Sequence, residues 1–207
     1  AIDKVKNTGK PTLKTLAVYY DETVPDLSST FEGATFEARD TTFVSALTKL
    51  NITAKDSESG VQDVTYSLDG EEHSYDKPFT IETEGFHLLS FASSDNVNNA
   101  TSKEIQFFVD ASPPSIRIDK SSPSTGVKDI DGKNYEVYPS YVILYLSALD
   151  FKVGSQEIYY TINGGEFKKY VAPLKNFKAE ELLTITIRAI DNLGNPNEET
   201  FTIFIGE

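Results

Sequence analysis

The 207-residue chain contains no cysteine, no methionine and no tryptophan. Without cysteine there are no disulfides, thiol nucleophiles, iron–sulfur clusters or thiolate zinc sites, although this absence alone does not name a compartment. No run of about 18 apolar residues occurs, so no helical membrane span is expected. The opening residues Ala1-Ile2-Asp3-Lys4-Val5-Lys6 lack the apolar core of a signal peptide, so any export signal is expected to have been removed or to lie upstream. Positive charge is also scarce. Nineteen Lys and Arg face 32 Asp and Glu, and the net charge of −13 is not broken by any basic cluster. Nucleic acid and anionic membrane are therefore poor partners, whereas cations and basic partners stay open.

What is present is ordinary for a folded soluble protein: 39% hydrophobic and 25% charged residues exclude a disordered or collagen-like chain. The length suits two domains of about 100 residues, each burying its own core. An internal repeat supports that division. Leu50-Asn51-Ile52-Thr53-Ala54-Lys55-Asp56 returns as Leu144-Tyr145-Leu146-Ser147-Ala148-Leu149-Asp150, which sets Asp56 and Asp150 94 positions apart (150 − 56). Gly60 and Gly154, Val64 and Ile158, Tyr66 and Tyr160, and the pairs Asp69-Gly70 and Asn163-Gly164 keep this offset. Tyr75-x-x-Pro78 returns as Tyr170-x-x-Pro173 at 95 (170 − 75), and Asp95-Asn96 as Asp191-Asn192 at 96 (191 − 95). Two single-residue loop insertions account for the drift.

Within each copy the apolar residues alternate, as in Leu50, Ile52, Ala54 and in Ile105, Phe107, Val109, which is the pattern of half-buried strands. Asp-Gly and Asn-Gly take positive φ readily and mark tight hairpins. Short strands with a turn signal every 8–12 residues predict an all-β chain of antiparallel sandwiches. Asp110-Ala111-Ser112-Pro113-Pro114 reads as a linker stiffened by proline, and Asp21-Glu22-Thr23-Val24-Pro25 has the same shape. The expected organisation is one repeat over 21–109, a second over 110–207, and, in 1–20, the last loop and strand of a truncated upstream repeat. Leu16, Val18 and Tyr20 of that segment are expected to form a strand seeking a sheet edge.

The series Tyr160, Asn163-Gly164-Gly165, Tyr170-x-x-Pro173, Arg188-Ala189-x-Asp191-x-x-Gly194-Asn195 resembles the bacterial immunoglobulin-like repeats found in arrays in Gram-negative outer-membrane and cell-surface proteins. The earlier copy departs from this pattern at Asn98, which replaces the loop glycine and, as asparagine, tolerates the left-handed region. The resemblance implies tandem Ig-like β-sandwiches and an extracytoplasmic location, at the cell surface, outer-membrane-associated or periplasmic. It implies a non-catalytic spacer or adhesive binding module, with flanking repeats and a protein or glycan ligand. The alternative is an accessory glycan-binding module of a larger extracytoplasmic enzyme.

No catalytic constellation emerges. His87 aligns with Leu183 on an inward-facing strand position, His73 lies in the polar stretch Glu71-Glu72-His73, and neither has a nucleophile signature beside it. The acidic residues are more informative. In an Ig-type sandwich the loops between the second and third and between the sixth and seventh strands meet at one end, beside the incoming linker. That end collects Asp110, Asp150 and Asp191 in the last copy, and Asp21, Asp56 and Asp95, with Glu22 and Glu58 nearby, in the earlier one. Calcium takes six to eight oxygen ligands, so carboxylates, Asn192 or Asn195 and loop carbonyls are candidate ligands. Turn capping, in which each Asp accepts backbone N–H groups, fits the same residues. Tyr135, Tyr138, Tyr141, Tyr145, Tyr159 and Phe167 are numerous enough for a glycan-binding aromatic platform, or for cross-strand packing.

Overall fold

A computed structural model describes Lys4, Lys14 and residues 16–207. Most of the segment expected to close an upstream repeat lies outside the described residues. Its last five positions, 16–20, are not a strand: Leu16, Val18, Tyr19 and Tyr20 are exposed and without regular structure. An alternating apolar pentapeptide without a partner strand leaves its backbone groups to water, and alternation alone did not supply that partner.

The rest of the described chain is all β. The first half runs β1 (Asp26–Glu32), β2 (Thr35–Ala38), β3 (Thr41–Ser45), β4 (Lys49–Lys55), β5 (Val61–Leu68), β6 (Glu71–Ser74), β7 (Phe79–Thr80), β8 (Gly85–Asp95) and β9 (Ala100–Asp110). The second half runs β10 (Ser115–Lys120), β11 (Gly126–Ile130), β12 (Lys133–Pro139), β13 (Leu144–Leu149), β14 (Ser155–Ile162), β15 (Lys168–Lys169), β16 (Glu181–Asp191) and β17 (Pro196–Gly206). In the first half a small sheet, β1-β4-β7, faces a larger one, β2-β3-β9-β8-β5-β6. In the second, β10-β13 faces β11-β12-β17-β16-β14-β15. Pairing is antiparallel except that β3 runs parallel to β9 and β12 parallel to β17. Each half is an immunoglobulin-like β-sandwich, and the two stand in tandem. No helix among the described residues is long and apolar enough to cross a membrane.

The repeat is visible down to its irregularities. Register slips between Val61 and Asp63 on β5 and between Ser155 and Glu157 on β14, at matching positions. The hairpin residues Asp69 and Asn163 both have positive φ, 52° and 48°, as their Asp-Gly and Asn-Gly pairs require. Asn98 adopts φ 71° where Gly194 has 87°, so asparagine does keep the loop. Each sandwich closes on its own core. Leu50, Ile52, Leu89 and Phe107 anchor the first, with Ala54, Tyr66 and Leu68 against them. Leu144, Leu146, Ile187 and Ile203 anchor the second, with Tyr160 against them.

A third, smaller cluster joins the two. Val153 and Leu193, from the β13–β14 and β16–β17 loops, pack with Phe43, Phe36 and Phe108 of the first sandwich. Phe43 and Phe108 sit on paired β3 and β9, 5.4 Å between ring centroids. Their neighbours Val44 and Val109 point the other way, into the first core. Period two thus lets one pair of strands serve both the core and the junction.

Candidate functional site

The two sequence-predicted acidic sets come together as two triads. Carboxylate oxygens of Asp21, Asp56 and Asp95 lie within 4.8 Å of one another, as do those of Asp110, Asp150 and Asp191. The topology explains both. The first member opens the linker, the second follows the small-sheet strand β4 or β13, and the third ends β8 or β16. Asp95, Asp110 and Asp191 are fully buried.

The loops fold around these carboxylates in the same way twice. Asp95 Oδ1 accepts the N–H groups of Val97 (2.9 Å) and Asn99 (2.8 Å), and Asp191 Oδ1 those of Leu193 and Asn195 (both 2.8 Å). Asp56 Oδ1 accepts from Glu58 and Gly60, and Asp150 Oδ1 from Lys152 and Val153. Turn capping is therefore realised at each of these four residues. The asparagines expected as ligands donate through their side-chain amide N–H groups. Asn195 Nδ2 donates to Asp191 Oδ2 (2.7 Å) and to the Asp110 carbonyl (3.1 Å), and Asn192 Nδ2 to the Val153 carbonyl (2.6 Å). Asn99 repeats the first role, reaching Asp95 Oδ2 (2.7 Å) and the Asp21 carbonyl (3.2 Å). Asn195 and Asn99 thereby tie a linker to its sandwich, and Asn192 ties two loops of the second sandwich together.

The triads differ in what surrounds them. Lys152, two residues after Asp150, sends its ammonium to Glu84 Oε1 (2.5 Å), Ser112 Oγ (3.0 Å) and Asp110 Oδ1 (3.1 Å). At the matching place after Asp56 stands Glu58, whose carboxyl is raised by the carboxylate of Asp21 beside it, by its own desolvation and by Asp56. Burial pushes Asp110 above the usual carboxylate range, against the pull of Lys152 and the Ser112 N–H. In Asp95 burial pushes the same way, but the donors from Asn99 and Val97 outweigh it and hold the carboxyl low. Lys152 and Glu84 were not singled out in the sequence. The signal that marks Lys152 is a charge reversal against Glu58 inside a loop that otherwise repeats.

The histidines take structural places. His87 is buried on β8, between β5 and β9, with Nδ1 2.6 Å from Asp69 Oδ2 and Nε2 2.7 Å from the Thr83 carbonyl. His73 stacks on Tyr66, 5.0 Å between centroids. It lines a concavity of about 480 Å³ whose walls are mostly Ser, Thr and Ala, and none of the triads reaches it. The six aromatics named as a platform are divided: Tyr145 lies in the small sheet, Tyr135, Tyr138 and Tyr159 in the large one, and Tyr138 is buried. Phe167 carries the Arg188 guanidinium 4.3 Å above its ring.

No protein-family model matches this chain, and no curated protein matches it either. Among solved structures it is similar to the fibronectin(III)-like modules of Clostridium thermocellum CbhA, at 12% identity and a TM-score of 0.39 over 86% of this chain and 94% of that one. It is similar to the extracellular cadherin domains 3–6 of protocadherin gamma B2 (14%, 0.31, 86% and 47%). A third likeness is to the Bacteroides ovatus mixed-linkage glucan utilization protein SGBP-B in complex with a mixed-linkage heptasaccharide (13%, 0.27, 86% and 70%). The chain thus spans about half of the protocadherin fragment. These are likenesses only; the Ig-like fold stands on the strand pairing above.

Proposed function

We propose that this chain is a segment of a non-catalytic array of Ig-like repeats, secreted or surface-associated in a bacterium, that acts as a semi-rigid spacer or adhesive binding module. Residues 21–109 and 110–207 are the two repeats of this reading, and 1–20 belongs to an upstream one. The supporting observation is the junction. A linker of four residues, 111–114, joins β9 to β10, and contacts fix it on both sides. Apolar packing of Val153 and Leu193 on Phe43 and Phe108 is joined by Arg39 Nη2 donating to the Lys152 carbonyl (2.6 Å) and Asn197 Nδ2 donating to the Pro114 carbonyl (2.9 Å). Domains joined by flexible linkers lack such contacts and move independently by default. In this reading the acidic triads are where calcium would act, as a further tie between linker and sandwich.

Because the chain has no cysteine, two introduced ones carry spin labels uniquely. Labels at Lys103→Cys on β9 and Lys133→Cys on β12, both exposed, report the angle between sandwiches. A single narrow distance distribution is expected in the absence of calcium. A broad one overturns the spacer reading.

A further inference from the structure

We propose that Asp110, Asp150 and Asp191 form a binding site for a hard divalent cation of the size of calcium, seated at the junction between the two sandwiches. Triad geometry alone does not carry this, since Asp150 and Asp191 cap their own turns. The deciding group is Asp110. Its side chain is fully buried, and no donor among the described residues reaches its Oδ2, although its Oδ1 accepts from Ser112 N–H (3.1 Å) and Lys152 Nζ (3.1 Å). A buried carboxylate oxygen without a partner is costly, and the usual remedy is a donor, a proton or a metal.

The surroundings favour the metal. Asp150 and Asp191 bring carboxylate oxygens within 4.8 Å of that of Asp110, and the donors present are oxygens, as hard cations require. Lys152 does not neutralise the set. Its one ammonium is shared between Glu84 and Asp110, so four carboxylates face one positive charge. The N–H groups that cap Asp150 all point at Oδ1 (Lys152, Val153 and Gly154), which leaves its Oδ2 for another partner. Water would complete the shell. An ion held here would bind the last residue of β9 to both loops of the second sandwich, drawing the linker and its following repeat into one unit. Lys152 then acts as a competing internal cation that sets how tightly the ion is held. This inference deepens the cation role in the proposed function and does not depend on the spacer role.

Calcium titration of the whole chain by calorimetry, with melting curves alongside, tests it. Saturable binding and a calcium-dependent rise in Tm are expected. Asp110→Asn should abolish binding at this site while the variant still melts cooperatively; if that variant fails to fold, Asp150→Asn replaces it. Lys152→Gln should bind calcium at least tenfold more tightly, which a merely structural role for the triad would not produce. Absence of saturable binding overturns the proposal, as does binding unchanged by Asp110→Asn, which would place the ion at Asp21, Asp56 and Asp95. Neither result touches the spacer reading, whose distance measurement is made without calcium.

Discussion

The hydroxyl of Tyr170 accepts the backbone N–H of Leu146 at 3.2 Å, across the gap between the β14–β15 side and the small sheet. Tyr75 does the same for Ile52 at 3.1 Å and also donates to Asn51 Oδ1 at 2.7 Å. This is the physical content of the repeated Tyr-x-x-Pro: a ring packed against the core whose tip satisfies a strand N–H. Tyr170→Phe leaves that N–H without its acceptor and should cost about 1–3 kcal/mol. Tyr75→Phe loses a second hydrogen bond and should cost more, by about 1 kcal/mol. Urea midpoints of the two variants order them, and equal, negligible shifts would show that water replaces the hydroxyl.

Leu146 is also a core residue, 5% exposed, and its repeat partner Ile52 is 4% exposed. Leu146→Ala should destabilise the second sandwich by about 2–5 kcal/mol. Combined with Ile52→Val in the first core, the effects should add to within about 0.5 kcal/mol, because the two residues share no partner. Calorimetric unfolding of single and double variants checks this. A coupling well above that limit would mean that the two cores interact energetically.

The fold was legible because alternation and turn chemistry repeat at a nearly fixed offset, so two copies of a weak pattern confirm each other. The triads were legible for the same reason, through Asp56 with Asp150 and Asp95 with Asp191. The junction was not. Val153 matches Ser59 and so breaks the repeat, while Leu193 matches Val97, an equally apolar residue that is half exposed, so the repeat does not mark which loop tip docks on Phe43. Lys152 against Glu58 is the polar form of the same break. A contact between copies has no internal second example to be compared with, and residues 16–20 show that alternation without a partner strand is not enough.

The pair His87 and Asp69 ties a core side chain to pH. The Leu88 N–H (2.8 Å) and then the His87 imidazole hold the Asp69 carboxyl below its usual 3.8. A depressed carboxyl stabilises the fold above its unfolded value and loses that contribution as pH falls through the folded one. Asp69→Asn should therefore flatten the acid limb of the stability curve of the first sandwich below about pH 4. Denaturant midpoints from pH 2 to 5 measure it, and parallel curves for the two proteins would refute the assignment.

At the other end of the scale, Tyr138 is buried, and this burial, with the hydrogen bond from its hydroxyl to Glu136 Oε2 (2.7 Å), pushes its ionisation from 10.0 up to about 12. Here the neutral form is the one favoured by folding. The contribution is complete below pH 10.0 and is lost as pH rises toward about 12. Tyr138→Phe should remove this part of the alkaline loss of stability. The comparison is between slopes from pH 9 to 12 in wild type and variant.

The junction should owe its rigidity more to Leu193 and Val153 than to its charges. Leu193 is 4% and Val153 2% exposed, and burying such a side chain contributes about 1.5–3 kcal/mol. The Lys152–Glu84 pair is partly open to solvent, with side-chain exposures of 29% and 37%, and pairs of that kind contribute about 0–1 kcal/mol. Leu193→Asp places a charge against Phe43 and Phe108, and should broaden the distance distribution between labels at positions 103 and 133 without unfolding either core. Glu84→Gln, or about 1 M salt with its Debye length near 3 Å, should leave the distribution narrow. The contrast depends on Lys152 keeping Asp110 as its remaining partner in Glu84→Gln, so that no buried carboxylate loses its counter-charge. If salt alone broadens the distribution while Leu193→Asp does not, the sandwiches are held by their charges and the apolar contact merely fills space.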